Sequence, residues 1–224
     1  MYELLTGPVL WLSFGVFFVG LAVRALLYIR GLDWKLDRVA YADHAGSGLR
    51  GALNSILSWV LPFGSRSWRE RPGMVVLFFV FHVGLVITPL FLQAHVEIMK
   101  SRWGIEWPAM PNGLADVLTI GVLVSGLLLA LRRVAFPEIR ILTSGYDYLL
   151  LAITVAPFLT GFMAGLHTDG YQYWLLAHVI SGEIWLVAVP LTKLSHAVLF
   201  FLTRAQIGMD YGIKRGGMKK GLAW

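Results

Sequence analysis

The chain has 224 residues, of which 57% are hydrophobic and 14% charged, with a formal net charge of +6 and a mean hydropathy of +0.68. These values lie outside the range of soluble globular domains and indicate an integral membrane protein. The absence of cysteine excludes a thiolate-ligated iron–sulfur cluster, a covalently attached c-type haem and a disulfide within this polypeptide.

Five apolar runs are long enough to cross a bilayer as helices. They are 8–29, 73–96, 113–131, 145–166 and 171–202. The first run lacks the basic start and the small-residue cleavage site of a secretion signal, so we expect a retained anchor. The pattern predicts an all-α membrane protein, a bundle of five transmembrane helices.

Basic residues concentrate on one side of this predicted bundle. Seven lie between Arg30 and Arg71 and five between Arg204 and Lys220, whereas the second connection has only Lys100 and Arg102. By the positive-inside rule we expect the amino terminus outside and the carboxyl terminus in the cytoplasm, with the chain in the cytoplasmic (inner) membrane. The positive charge therefore reflects topology and gives no reason to expect nucleic-acid binding.

We expect one membrane domain over residues 1–204, with a long cytoplasmic connection at 31–72 and a glycine-rich cytoplasmic tail at 205–224. Within the connection, 52–61 has the pattern of an amphipathic helix that lies on the membrane surface. Docking of a partner protein is a compatible alternative for this segment.

Four of the six histidines fall inside predicted spans: His82 and His95 on the second, His178 and His196 on the fifth. An imidazole buried in lipid needs a partner, so such residues usually mark a functional path. Antiparallel pairing of the two spans matches His95 with His178 near the outer face and His82 with His196 near the inner face. This arrangement is typical of the axial iron ligands of two stacked b-type haems, for which we expect an electron-carrying role.

The spacing of the histidines can be tested against an ideal helix. His178 and His196 are 18 residues apart, about five full turns, so on an unbroken helix both would project from one face. His82 and His95 are 13 apart, which leaves them about 140° out of phase. Pro89 lies between them, and we expect it to bend the helix and return His95 to the haem face.

For several further residues the sequence leaves two roles open. Gly84 and Gly182 would either clear space for a porphyrin or serve helix packing. Thr192 or a backbone carbonyl would orient His196. We expect His44 and His167 to be ordinary solvated or capping histidines. The cations that could pair with haem propionates are Lys193, Arg132, Arg140 and Arg102.

Three stretches of this sequence resemble the gamma subunit of respiratory nitrate reductases, a five-helix dihaem cytochrome b. They are Phe81-His82-Val83-Gly84, then Leu131-Arg132-Arg133 through Phe136-Pro137 and Arg140 to Thr143-Ser144-Gly145-Tyr146-Asp147, and His178 through Pro190-Leu191-Thr192-Lys193-Leu194-Ser195-His196. The gap between the histidines of the second span is about three residues wider here, around Pro89. The resemblance also implies oxidation of quinol near the outer haem, with Lys100, Arg102 or Asn112 at the position of a basic residue.

A closer likeness is to the cytochrome b subunits of transmembrane redox complexes in sulfate-reducing bacteria, named for the high-molecular-weight cytochrome c and type II cytochrome c3. It rests on Leu61 to Glu70, on Pro89 to His95, and on Thr203-Arg204-Ala205 with the tail. This resemblance implies two haem b and, as partners, a periplasmic multihaem cytochrome c and a cytoplasmic iron–sulfur subunit like that of heterodisulfide reductase. A menaquinone pool would accompany or replace the cytochrome c. The chain would be the membrane anchor that carries electrons between these partners.

Two other functions stay open at this stage. One is a proton-coupled transporter in which the histidines and Asp147 relay protons, although no inverted repeat is visible. The other is an intramembrane metalloenzyme, although His178 and Glu183 are five residues apart and do not match a zinc-protease motif.

Overall fold

The computed structural model describes residues 2–32 and 39–214, and within these ranges the chain forms helices and connections without strands. The α-helices are α1 Tyr2–Leu4, α2 Leu10–Arg30, α3 Val39–Val60, α4 Arg66–Glu70, α5 Pro72–Phe91, α6 Gln93–Trp103, α7 Asn112–Ala135, α8 Pro137–Arg140, α9 Gly145–Gly165, α10 Tyr171–Leu191 and α11 His196–Lys214. A π-helical turn at Leu5–Val9 precedes α2, and a 3-10 turn at Lys193–Ser195 precedes α11.

Five helical segments are long and apolar enough to cross a membrane, as the sequence predicts. They are Leu5–Arg30, Pro72–Phe91, Asn112–Ala135, Gly145–Gly165 and Tyr171–Leu191. Much of their apolar surface is exposed, for example Leu12, Phe18 and Val117, as expected where lipid replaces water as the solvent. The chain is a multi-pass membrane protein.

The second predicted span is broken between its two histidines. Helix α5 ends at Phe91, and Leu92 takes an extended conformation (φ −63°, ψ 130°) before α6 begins at Gln93. Pro89 lies just before this break. The helix that carries His82 is therefore broken before His95, as the bend expected at Pro89 implies, and the return of His95 to a haem face stays a prediction.

The fifth predicted span is also broken, and here the sequence-based expectation is wrong. Helix α10 stops at Leu191 instead of continuing to residue 202, and Thr192 is extended (φ −121°, ψ −170°). A 3-10 turn follows, and His196 begins α11. The argument that five unbroken turns place His178 and His196 on one face therefore does not hold.

The described residues fall into two compact units, the first made of Met1–Val9 and Val76–Trp185. Within it α5 approaches α7 closely at Gly84, where a Cβ atom would lie 2.5 Å from Val122 Cγ2 and 3.0 Å from the Leu118 carbonyl oxygen. Gly126 of α7 packs similarly against Val155 of α9. Small residues at such crossings let membrane helices make van der Waals contact along their backbones.

The second unit comprises Leu10–Val75 and Leu186–Trp224, and its centre is the packing of α3 on α11. A Cβ atom on Gly208 would lie 2.6 Å from Ser55 Cβ and 2.8 Å from Ala52 Cα, and it would also collide with the Gly51 carbonyl oxygen. The two backbones therefore meet at a face of small residues. Helix α11 runs through the expected start of the tail at residue 205; residues 215–224 lie outside the described part.

Helix α3 has two different faces. Its small residues face α11, whereas Leu49, Leu53 and Leu57 on another side are at least half exposed. The Arg204 guanidinium of α11 lies 5.0 Å from the centre of the Trp59 ring of α3, and burial lowers the pKa of this guanidinium. The segment at 52–61 is therefore part of a longer packed helix, with its leucine face open to a membrane surface or a partner.

The contact between Gly208 and α3 gives a stability test. Gly208→Ala should destabilise the protein by about 1–3 kcal/mol, because the added methyl group overpacks the crossing. Gly46→Ala is the matched control: Gly46 lies on α3, and no atom lies within 4 Å of the position that a Cβ atom would take there, so alanine should stabilise that helix by about 0.5–1 kcal/mol. Unfolding in detergent, followed by tryptophan fluorescence, should give opposite signs for the two variants, and equal effects would contradict the packing.

Candidate functional site

His95 lies on the first turn of α6, immediately after the break in α5. Its Nδ1 is 2.9 Å from the carbonyl oxygen of Pro89. In a continuous helix that carbonyl would accept from the backbone N–H four residues on, but the extended Leu92 removes this bond. The break thus supplies both the turn that carries His95 and the acceptor that orients its ring.

Two further carbonyls at the end of α5 accept hydrogen bonds from the connection between α6 and α7. The indole N–H of Trp107 donates to the Leu90 carbonyl at 2.8 Å, and the backbone N–H of Met110 donates to the Phe91 carbonyl at 2.8 Å. Backbone groups at membrane depth need such partners, because no water is present to replace them. At the break beside His95, each of these carbonyls therefore has a hydrogen-bond donor.

His178 lies on α10 and faces α9. Its Nδ1 is 2.8 Å from the carbonyl oxygen of Pro157. The imidazole packs directly on Gly161, where a Cβ atom would lie 2.9 Å from both Cε1 and Nδ1 of the ring. Next to this contact, the hydroxyls of Thr160 and Ser181 are 3.1 Å apart and join the two helices. Glycine at position 161 is thus what allows the ring to reach its acceptor.

The rings of His95 and His178 are brought together. Their centroids are 5.9 Å apart and their planes differ by 10°. Both belong to the first unit. The expected outer pair therefore consists of two nearly parallel imidazoles on different helices, each tied to a proline carbonyl.

His82 lies in the middle of α5 and belongs to the first unit. Its Nδ1 is 2.9 Å from the Phe78 carbonyl oxygen one turn earlier, and the Phe78 ring stacks on it at 4.0 Å between centroids. Its orientation is thus fixed within its own helix.

His196 is the first residue of α11 and belongs to the second unit. Its Nδ1 is 3.0 Å from the carbonyl oxygen of Lys193. Thr192, a candidate for orienting this ring, instead caps the following turn, its hydroxyl oxygen accepting from the Leu194 N–H at 3.2 Å. The backbone carbonyl is therefore the acceptor for His196.

All four histidines share one hydrogen-bonding arrangement. A carbonyl oxygen only accepts, so each Nδ1 must carry the proton and donate it. In a neutral imidazole the lone pair is then on Nε2, which is the nitrogen that can bind a metal. Metal-ligating histidines commonly have this arrangement, in which a carbonyl fixes the tautomer and ring orientation.

The remaining predicted residues have other surroundings. Gly84 serves helix packing, whereas no atom lies within 4 Å of a Cβ position at Gly182. His167 stacks on Tyr171, and its Nδ1 meets the Gly165 carbonyl at 2.7 Å. The side chain of His44 lies outside the described residues.

The candidate cations have the following surroundings. The Arg132 guanidinium lies 5.9 Å from the centre of the Phe136 ring, while Lys193, Arg140 and Arg102 are exposed. Lys100 pairs with Glu106 at 2.9 Å, and this carboxylate raises the pKa of the ammonium group.

Two further observations concern the alternative functions. Asp147 belongs to a capping box, its carboxylate accepting from the Ser144 backbone N–H at 2.9 Å and the Ser144 hydroxyl at 2.8 Å. In the described part of the chain, no group of three or more His, Cys, Asp or Glu side chains is arranged to hold a metal ion.

Sequence reasoning missed three contributors to the site: Gly161, Pro157 and Arg24. Gly161 and Pro157 act across a helix pair on a residue about 20 positions away, and no local pattern marks them. Arg24 is the charged residue of the first predicted span, and this charge was a signal that could have drawn attention to it. The structure places it against the break that precedes His196.

Comparison with known proteins gives one near relative and one distant one. No protein family model matches the chain. A protein of Nitratidesulfovibrio vulgaris strain Hildenborough is 55% identical over 224 residues, covering 100% of this chain and 99% of the relative. The respiratory nitrate reductase 1 gamma chain of Escherichia coli K12 is 23% identical over 196 residues, covering 66% of this chain and 85% of the relative. The chain therefore belongs to the same family as the N. vulgaris protein and is distantly similar to a nitrate reductase gamma chain.

Proposed function

We propose that this chain is the membrane-anchoring cytochrome b subunit of a respiratory complex and holds two haem b groups. His95 and His178 would ligate the outer haem, and His82 and His196 the inner one. The observation that carries the proposal is the near-parallel pair of His95 and His178, both with Nδ1 held by a backbone carbonyl. The distant similarity to a nitrate reductase gamma chain supports the same conclusion.

The separation of the outer pair supports one iron held between the two rings. Two metal–nitrogen bonds of about 2 Å, with about 1 Å from each nitrogen to its ring centre, would leave the ring centroids of two histidines on one metal ion about 6 Å apart. The observed separation is 5.9 Å. Gly182, one turn after His178, has open space beside it, which suits a bulky planar group next to that ligand.

A haem held by two histidines would supply one-electron transfer. The residues of this chain would do three things around it. The four histidines would hold the two groups, the carbonyls of Phe78, Pro89, Pro157 and Lys193 would orient the histidine rings, and the apolar helices would exclude water. None of these tasks requires a helix to move.

The inner pair rests on a different argument. His82 and His196 belong to different compact units, and their pairing is proposed from the predicted antiparallel order of the spans. Each Nδ1 meets a carbonyl oxygen as in the outer pair, so each ring would offer Nε2 to a metal.

For the complex as a whole we propose electron transfer across the inner membrane. The partners would be a periplasmic multihaem cytochrome c or a menaquinone pool on one side and a cytoplasmic heterodisulfide-reductase-like iron–sulfur subunit on the other. A chain without cysteine leaves thiolate-bound clusters to such a partner. The alternative is a quinol-oxidising gamma subunit of a nitrate-reductase-type complex.

A proton-handling role is the second candidate, and one residue favours it. Glu183 of α10 is 6% exposed, and its Oε1 has no hydrogen-bond partner among the described residues. Ionisable residues at such depth often mark proton or ion paths. Proton transfer by Glu183 would accompany electron transfer or replace it, and a visible spectrum separates these cases.

The first test is the spectrum of the purified protein, oxidised and then reduced with dithionite. We expect reducible b-type bands and a pyridine haemochrome stoichiometry of two haems per chain. His178→Ala should remove the outer haem and leave the inner one, and His196→Ala should do the reverse. A colourless protein, or either variant with both haems unchanged, would contradict the assignment.

Gly161 provides a test that leaves every proposed ligand in place. In Gly161→Ala the new methyl group meets the His178 ring, so the ring must leave the Pro157 carbonyl. Affinity for the outer haem should fall on the order of 10–100-fold, as for other residues that orient metal ligands. Gly165→Ala, on the same helix with no atom within 4 Å of its Cβ position, should retain both haems in the same titration. Equal haem content in the two variants would show that Gly161 does not position His178.

Topology can be tested with single cysteines, since the natural chain has none. Ser101 and Ser67 are exposed in the predicted outer and cytoplasmic connections, respectively. A membrane-impermeant maleimide applied to spheroplasts should label the Ser101→Cys variant and spare the Ser67→Cys variant until the membrane is dissolved. The opposite pattern would reverse the proposed orientation.

A further inference from the structure

Three residues on one face of α2 contact the segment around His196. Gly20, Arg24 and Tyr28 are spaced four apart and so lie along one side of the helix. Gly20 and Arg24 meet the end of α10, while the Tyr28 hydroxyl donates to the Gln206 side-chain oxygen on α11. Helix α2 thus holds the chain on both sides of the break.

Arg24 takes two of the carbonyls that the break leaves open. Its Nε donates to the Pro190 carbonyl at 2.8 Å and its Nη2 to the Leu191 carbonyl at 3.2 Å. The last carbonyls of a helix have no partner within it, and inside a membrane water does not replace one. A guanidinium group suits this task because its N–H groups form a rigid fork that can bond two acceptors at once.

Gly20 allows this approach. A Cβ atom at position 20 would lie 2.6 Å from Pro190 Cβ and 2.9 Å from Pro190 Cγ. Any larger residue would push α2 away from the end of α10 and pull the guanidinium off its acceptors.

The other carbonyls of the break, those of Thr192 and Lys193, have partners at Ser195 and His196. The Thr192 carbonyl accepts from the Ser195 N–H at 3.2 Å and from the Ser195 hydroxyl at 2.8 Å. The next carbonyl, that of Lys193, receives the His196 ring. Only one residue, Thr192, separates the carbonyls held by Arg24 from the one that orients His196.

We infer that Arg24 is a positioning residue for His196: by holding the Pro190 and Leu191 carbonyls, it fixes where the broken helix restarts and hence where the imidazole points. This inference rests on the proposed function, since it assigns Arg24 to the ligand of the inner haem. An arginine within a membrane span is costly and is retained where it has a specific partner. Here the partner is the protein backbone, which leaves the positive charge in place near the inner site.

The test compares Arg24→Gln, Arg24→Lys and the control Arg30→Gln in the full-length protein with haem bound. Arg30 is the exposed last residue of the same helix, so its substitution removes an equal charge away from the break. The readouts are haem stoichiometry, the redox midpoint of each haem, and the low-spin EPR signal, which depends on how the two axial imidazole planes are oriented. His178→Ala and His196→Ala identify which signal belongs to which haem.

We expect Arg24→Gln to lower affinity for the His196-dependent haem on the order of tenfold or more and to shift its EPR signal, with the other haem unchanged. Arg24→Lys keeps the charge but cannot form the fork, and it should shift the same signal by less. Gly20→Ala, which separates the same surfaces without changing charge, should act like Arg24→Gln.

The inference is overturned if Arg24→Gln and Arg30→Gln both behave like the natural protein. It is equally overturned if Arg24→Lys loses both haems together, since Arg24 would then support the whole fold. A natural protein without two b haems would instead refute the proposed function.

Discussion

The structure depends on how backbone N–H and C=O groups find hydrogen-bond partners where water is absent. A helix that stops inside a membrane exposes carbonyl oxygens, and each one without a donor costs several kcal/mol. Two of the described apolar helices are broken, α5 before Leu92 and α10 before Thr192. The His95 ring donates to a carbonyl of α5 itself, whereas the His196 ring donates to the Lys193 carbonyl in the turn that follows α10. Each break is therefore followed by a histidine whose ring is oriented by a backbone carbonyl.

The two breaks share a sequence pattern. Pro89 precedes His95 by six residues, and Pro190 precedes His196 by six. The details differ: His95 bonds the proline carbonyl itself, whereas His196 bonds Lys193 and leaves the Pro190 carbonyl to Arg24. Trp107 and Met110, in the connection after α6, donate to carbonyls at the break beside His95. Arg24 of α2 donates to carbonyls at the break before His196. Helix α2 thus stabilises the break before His196 in addition to anchoring the chain in the membrane.

Apolar run length predicted the five spans, because crossing a bilayer imposes a minimum length that few other constraints mimic. Pro89 predicted a bend because the two histidines of that run were out of phase. The break at Thr192 was missed because His178 and His196 are already in phase on an ideal helix. No bend at Pro190 was therefore needed to align them. A backbone carbonyl was one of the two acceptors expected for His196, but which residues supply the acceptors could not be predicted. The Pro157 carbonyl reaches His178 through tertiary packing that Gly161 permits, and neither residue type is unusual in a membrane helix.

Because the four acceptors are main-chain carbonyls, sequence differences among relatives need not affect the hydrogen bonds that orient the histidines. Every amino acid carries such an oxygen, so the residues at positions 78 and 193 can change freely without removing the bond that orients His82 or His196. Selection would then be visible at residues that shape or brace the backbone, such as Gly161, Pro157 and Arg24, and weak at positions 78 and 193, where any residue supplies the acceptor.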